Sequence, residues 1–160
     1  MTPLSPLHPA RALATWFGVG HLPGPTGTWG SLAALPFAWA IVQAAGAIGL
    51  AIASVVVTLV GIWAADVYAA SSYRKDPGAV VIDEVAGQWT TLALGALVAP
   101  LAPWAYVAGF LLFRLADIRK PWPASWADRQ LSGGIGIVLD DVIAGALAGA
   151  ALAILIWILG

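Results

Sequence analysis

The chain has 160 residues, a length that suits one domain spanning 1–160, with 61% hydrophobic residues, 9% charged residues and a net charge of −1. With a mean hydropathy of +0.89, that balance excludes an ordinary soluble domain, in which about 25% of residues are charged, because so small a body cannot hide that much apolar surface. The near-neutral charge, with no basic stripe, gives no footprint for nucleic acid, and the lack of cysteine excludes disulfide and thiolate chemistry.

Taken in order, residues 1–16 lack the basic and apolar regions of a cleavable signal peptide. They read as an irregular or short interfacial segment, with Trp16 and Phe17 suited to the headgroup level. Residues 18–31 (GVGHLPGPTGTWGS) hold too much glycine and proline for a regular helix, and Ser31 is placed to cap the apolar run that follows. That run, 32–73, is too long for one span of about 20 residues. Gly46 and Gly49 offer a break, which predicts a hairpin of helices near 32–46 and 49–72. A third helix is expected from Val80 or Val85 to Ala99, before Pro100 and Pro103. A fourth runs from Trp104 to about Arg119, ending ahead of Pro121 as helices before proline do. After a long polar connection, Val142 to Leu159 forms a fifth. The expected fold is all-α: a polytopic helical membrane protein of about five hydrophobic helices. Several have only about 15 to 18 apolar residues, near the spanning minimum of about 17.

This arrangement segregates charge. If the turns at 46–49 and 99–103 lie on one side with the C-terminus, every charged residue lies on the other. All seven Lys and Arg fall there. The positive-inside rule then puts that face in the cytoplasm.

Three acidic sites share the charged face: Asp83–Glu84, Asp117 and Asp140–Asp141. Each pair precedes an apolar helix, so helix capping is the structural alternative. Asp117 lies near a helix C-terminus, where the dipole disfavours an anion. It shares a face with Arg114 and Lys120, for which a salt-bridge ladder is the alternative. Two like charges 4 Å apart repel by about 4 kcal/mol at an effective dielectric of 20. Converging carboxylates therefore call for protonation or a cation, and oxygen ligands without His or Cys suit Mg²⁺. Magnesium pairs with phosphate, for which Arg114, Arg119 and Lys120 supply positive charge. Gly27, Thr28, Gly30 and Ser31, leading into a helix, offer backbone N–H groups to an anion. Residues 133–136 (GGIG) let backbone approach closely. Either stretch alone reads more readily as a turn than as a phosphate cradle, and neither is a P-loop. His8 and His21 read as structural, Asp66 as a cluster member or an interfacial residue, and Asp128 as a ligand or a loop-ordering group. The tryptophans at 104, 122, 126 and 157 suit interfacial anchoring.

With these residues in hand, the sequence resembles the phosphatidylglycerophosphatase A family of bacterial membrane enzymes. The matching blocks are 23–31 (PGPTGTWGS), 76–87 (DPGAVVIDEVAG) and 113–145 (FRLADIRKPWPASWADRQLSGGIGIVLDDVIAG). The third, with its FR..D..KP.P spacing and GG.GI..DD end, is the most specific. The first departs from the family's usual APGT. The resemblance implies a Mg²⁺-dependent phosphatase of the cytoplasmic (inner) membrane that converts phosphatidylglycerophosphate to phosphatidylglycerol. It points to Asp83, Glu84, Asp117, Asp140 and Asp141 as metal ligands and to Arg114 and Lys120 as phosphate contacts. Asp83, Asp117, Asp140, Arg114 and Lys120 are then the expected catalytic set, acting through attack by a metal-activated water. A rival from another class is a small ion-binding transporter or channel, which predicts acids near the bilayer midplane. Other lipid-phosphate enzymes lack support, since neither their spaced-aspartate run nor a Pro-Ser-Gly-His block is present.

Overall fold

The computed structural model describes residues 5, 8–72 and 77–159. Its described residues form helices and connections, with no strand. α1 spans Pro9–Ala14, a 3₁₀ turn covers Val19–His21, α2 spans Thr26–Ser72, α3 Ile82–Ala96, α4 Pro103–Arg119, α5 Ala124–Gln130 and α6 Gly133–Leu159. Arg74, Lys75 and Asp76, which entered the charge pattern and the second matching block, lie outside the described residues.

α2 is two helices joined end to end. Gly46 stands between them at φ 68°, ψ −167°, a backbone setting that glycine alone adopts without strain. The two halves run in opposite directions, as their contacts along α3 show. Gly30 faces Val81, and one α3 stretch later the Trp89 indole donates to the Ala34 carbonyl. On the second half, Gly61 faces Ile82 while Ser54 shares a hydrogen bond with Thr90. One half therefore ascends as α3 ascends, and the other descends. The hairpin is present, but its first helix begins at Thr26 rather than Leu32. Pro25 starts it, and Ser31 is a buried interior residue whose hydroxyl donates to the Gly27 carbonyl, not a cap. Each glycine costs a helix up to about 1 kcal/mol, and packing at Gly27 and Gly30 outweighs that.

α6 also begins early, nine residues before the expected Val142. Gly133 (φ 65°) turns the chain, and the Gly134 N–H donates to Asp66 Oδ1 at 2.9 Å. Asp66 is thus the anchor of a helix N-terminus, outside the acidic cluster.

α3 packs most extensively on α6 and α2. Its crossing with α6 is close because Gly87 meets Gly145: a methyl group on Gly145 would overlap the Gly87 carbonyl. Thr91 Oγ1 bridges the pair, within 3.0 Å of both the Gly87 and Gly145 oxygens. Small residues and a hydroxyl at a crossing are the means by which apolar helices approach where no hydrophobic force acts between them. Trp16, expected at the headgroup level, is instead buried, edge-on to Trp89 and Phe37. Trp104, Trp122, Trp126 and Trp157 are exposed.

Among the described residues, the α2 hairpin and α6 are the stretches long and apolar enough to cross a membrane. Large apolar side chains such as Ile48, Ile52, Leu59, Leu111, Ile118 and Ile154 are more than half exposed. Such a coat fits contact with lipid. α3 and α4, with 15 and 17 residues, extend about 22 and 26 Å, short of a hydrocarbon core of roughly 30 Å.

Candidate active site

Three chain segments deliver the acids. Asp83 and Glu84 occupy the first turn of α3, but no side chain caps that helix, whose cap position is Val81. Asp117 is in the last turn of α4. Asp140 and Asp141 lie two turns inside α6, so the expectation that they stand at a helix N-terminus gives way. The early start of α6 places Gly133 and Gly136 before them and drops the two aspartates to the level of α3's first turn. There the Gly87–Gly145 crossing holds α6 against α3.

The result is a cavity of about 580 Å³ lined by Asp83, Glu84, Asp117, Asp140 and Asp141 together with Lys120. Carboxylate oxygens of Asp83, Glu84 and Asp141 all lie within 4.8 Å of one another. Asp117 is close enough to Glu84 and Asp141 for their charges to interact. Asp140 and Asp141 are only 4% exposed. Buried Glu84 Oε2 and Asp140 Oδ1 have no hydrogen-bond partner in the structure. Such groups are costly to leave unsatisfied. A hard, oxygen-seeking cation answers both the repulsion and the unfilled lone pairs, so the donor set fits Mg²⁺.

The two cations expected at the phosphate part company. Lys120 ends α4 in a left-handed conformation (φ 43°), which swings it off the helix face shared by Arg114 and Asp117. Its ammonium bonds Asp140 at 2.5 Å and Asp128 at 3.0 Å. Burial on its own would lower the Lys120 pKa, but the bonds to Asp140 and Asp128, with the charge of Asp141 behind them, outweigh it and push it upward. Lys120 is therefore a firmly held cation at the cavity wall. Arg114 stands behind that wall. Its guanidinium pairs with Asp117 at 2.6 Å and reaches Ser31 Oγ at 3.4 Å. A side chain on Gly27 would overlap Glu84 Oε1 and come within 3.1 Å of both Arg114 terminal nitrogens. Gly27 thus makes room for the Glu84–Arg114 approach.

The stretch from Gly27 to Ser31 packs its two glycines against Glu84 and Val81. It is helix, not turn: the Thr28 N–H donates to the Pro25 carbonyl, and Gly30 and Ser31 lie inside α2. Thr26, which the sequence reading passed over, is the α2 residue that lines the cavity, along with Arg129 and Ser132 from the α5–α6 region. Thr26 was hidden by the assumption that the helix starts later; the Pro25-Thr26 step was the available signal. Asp128 is about half exposed and orders the loop by holding Lys120.

The profile of the family described as "Phosphatidylglycerophosphatase A" matches residues 12–156, nearly the whole chain. The chain belongs to the phosphatidylglycerophosphatase A family. It is 39% identical to the Escherichia coli (strain K12) protein named phosphatidylglycerophosphatase A, across 88% of this chain and 80% of that one. It is 34% identical to the Haemophilus influenzae protein of the same name, across 91% and 87%. A Bacteroides thetaiotaomicron protein named "putative phosphatidylinositol-3-phosphatase" is also 34% identical, across 92% and 94%. No solved structure matches. All three matching blocks fall within the family's range, and their charged members beyond Asp76 line or support the cavity, apart from Arg119, which is exposed on α4.

Proposed function

We propose that this chain hydrolyses the terminal phosphomonoester of phosphatidylglycerophosphate, giving phosphatidylglycerol and inorganic phosphate, with Mg²⁺ held by Asp83, Glu84 and Asp141 beside Asp117 and Asp140. The observation that carries the reading is the convergence of the three carboxylates within 4.8 Å, in a cavity that also holds a fixed ammonium. Family membership gives the reaction class.

When bound, Mg²⁺ would offset the charge of acids and phosphate together and make a water molecule easier to deprotonate. The chain's own groups do the rest. Lys120 Nζ, facing the cavity, donates to a phosphate oxygen and stabilises charge that builds in the transition state. Asp140 Oδ1, a buried oxygen without a partner and outside the three-carboxylate group, is placed to take a proton from the attacking water. Its oxygen bonds to phosphorus as the bond from phosphorus to the glycerol oxygen breaks, and that oxygen leaves with a proton. Arg114 acts at one remove, by fixing Asp117 and, through Ser31, the start of α2. The cavity opens on the charged side, which we place at the cytoplasmic face of the bacterial inner membrane, the helices crossing several times. Nothing in the cavity or the family match favours a small ion transporter or channel.

The test is phosphate release from phosphatidylglycerophosphate in detergent, with and without Mg²⁺, for the wild type and Asp141→Asn. Loss of a group next to a metal typically costs 10–100-fold, so loss of a ligand is expected to cost about 100-fold or more. Wild-type protein that releases no phosphate from any lipid phosphomonoester sinks the enzyme reading. An Asp141→Asn variant with the wild-type rate sinks the metal assignment.

A further inference from the structure

Beyond the acidic cavity, one groove joins the charged end of the molecule to its apolar flank. It lies between α4 and α6, has a volume of about 300 Å³, and is walled by Leu112, Leu115, Ala116, Leu147 and Ala151, with Arg119 at its mouth. Its place follows from helical periodicity. Ala116 is one turn before Lys120 on α4, and Leu147 is two turns after Asp140 on α6. The groove therefore lies next to the Lys120–Asp140 ion pair that walls the acidic cavity, with Arg119 as its nearest residue on α4 and Leu147 two turns past Asp140 on α6.

Arg119 is what gives the groove a chemical identity. It is exposed, and among the described residues it forms no ion pair. The chain turns sharply at Lys120, so neighbouring cations face different ways: Lys120 into the cavity, Arg119 over the groove. Trp122, 77% exposed, follows three residues later. The comparable cleft between α2, α3 and α6 carries no charged residue, and its Ser54 and Thr90 hydroxyls bond each other.

We infer that the α4–α6 groove holds an acyl chain of the lipid substrate, with Arg119 binding its phosphodiester. The assignment rests on the proposed phosphatase reading. Phosphatidylglycerophosphate carries two phosphates: the terminal monoester that is cut, and a diester next to the diacylglycerol. With the monoester among the acids and Lys120, the diester leaves the cavity on the side of an unpaired guanidinium, whose fork geometry matches it. The hydrocarbon then continues into the groove directly below. The commitment is to the substrate's own chain, because consecutive residues line the two spaces, Arg119 the groove and Lys120 the cavity.

The test uses detergent-solubilised full-length protein and phosphatidylglycerol bearing a diazirine midway along one acyl chain, with adducts mapped by mass spectrometry. This probe has the diester and the chains but no monoester, so labelling does not depend on hydrolysis. Adducts are expected on α4 near 112–116 and α6 near 147–151, displaced by unlabelled phosphatidylglycerol and not by phosphatidylcholine. Ala151→Phe, which fills the groove, should abolish them. Arg119→Gln should weaken competition by phosphatidylglycerol about tenfold, the weight of a charge-assisted hydrogen bond. Adducts spread evenly over the apolar faces of α2 and α6, or unchanged in Ala151→Phe, overturn the proposal. So does displacement by phosphatidylcholine as effective as by phosphatidylglycerol. Labelling of the groove by a protein that hydrolyses nothing would leave the groove as an anionic-lipid site and remove only the phosphatase reading. Hydrolysis without labelling would do the reverse.

Discussion

Replacing Gly145 by alanine tests whether the α3–α6 crossing builds the acidic site. A Cβ on Gly145 would lie 2.9 Å from the Gly87 carbonyl carbon and Cα and nearer still to its oxygen, where ordinary contact begins at 3.4 Å. Both partners are backbone, so no side chain can swing aside. The helices must part by about 1 Å to bring the Gly87 oxygen, the nearest atom, to ordinary contact. Overpacking of this kind costs typically 1–3 kcal/mol, and Thr91 would lose its bridge to the Gly145 carbonyl. Asp141 lies one turn before Gly145 on α6, so the displacement carries it away from Asp83 and Glu84. Misplacement by about 1 Å is enough to cost 100-fold in rate, so a loss of about tenfold or more in kcat/KM is expected. The assay is phosphate release at saturating Mg²⁺, with thermal unfolding of the same samples. Gly109→Ala is the control. The atoms nearest its methyl would be side-chain ends of Leu92, Leu152 and Thr91 rather than backbone, and these can adjust. If Gly145→Ala keeps wild-type kcat/KM while folded, the close crossing is not what assembles the carboxylates.

Two further outcomes follow from the anchoring of α6 and from the charge pattern. Asp66→Ala should cost about 1 kcal/mol, the usual value for a helix cap, and lower the melting temperature by about 2–4 °C, while Asp66→Asn, which keeps an acceptor, stays near wild type; a rate collapse at unchanged stability in either variant would return Asp66 to the acidic cluster. A phosphatase or fluorescent reporter fused after Gly160 should report the periplasm, and a cytoplasmic signal there would mean an even number of crossings.

The residue types told more than the element boundaries did. The acids were legible because carboxylates are expensive within an apolar chain, so Asp83, Glu84, Asp117, Asp140 and Asp141 had to serve something. Their common cavity is what the structure adds. The start of α2 and the start of α6 were not legible. Both are rich in glycine, which by propensity argues against helix. Three of these glycines sit where another element presses in: Gly27 under Glu84 and Arg114, Gly30 under Val81, Gly134 under Asp66 and the Ile62 carbonyl. Local sequence cannot report a neighbour that arrives from 50 or more residues away. Lys120 was misplaced for a related reason. Helical spacing put it on a face with Arg114 and Asp117, and only its left-handed backbone shows that the helix has already ended there.

In the proposed mechanism Arg114 and Lys120, both in the third matching block, take different roles, for a reason that lies in the backbone. Arg114 lies within regular helix, and its short bond to Asp117 is the local i,i+3 pair that spacing predicts. Breaking that pair to reach a phosphate would leave Asp117 uncompensated beside Glu84 and Asp141, whose charges already oppose it. Lys120 has the opposite balance. Of its two carboxylate partners, Asp128 is about half exposed and easily rehydrated, so exchanging that bond for a phosphate oxygen loses little. The cation that is free to meet the substrate is therefore the one that stepped off the helix. In the mechanism proposed above, Arg114 instead keeps the negative wall of the cavity in place through its bond to Asp117.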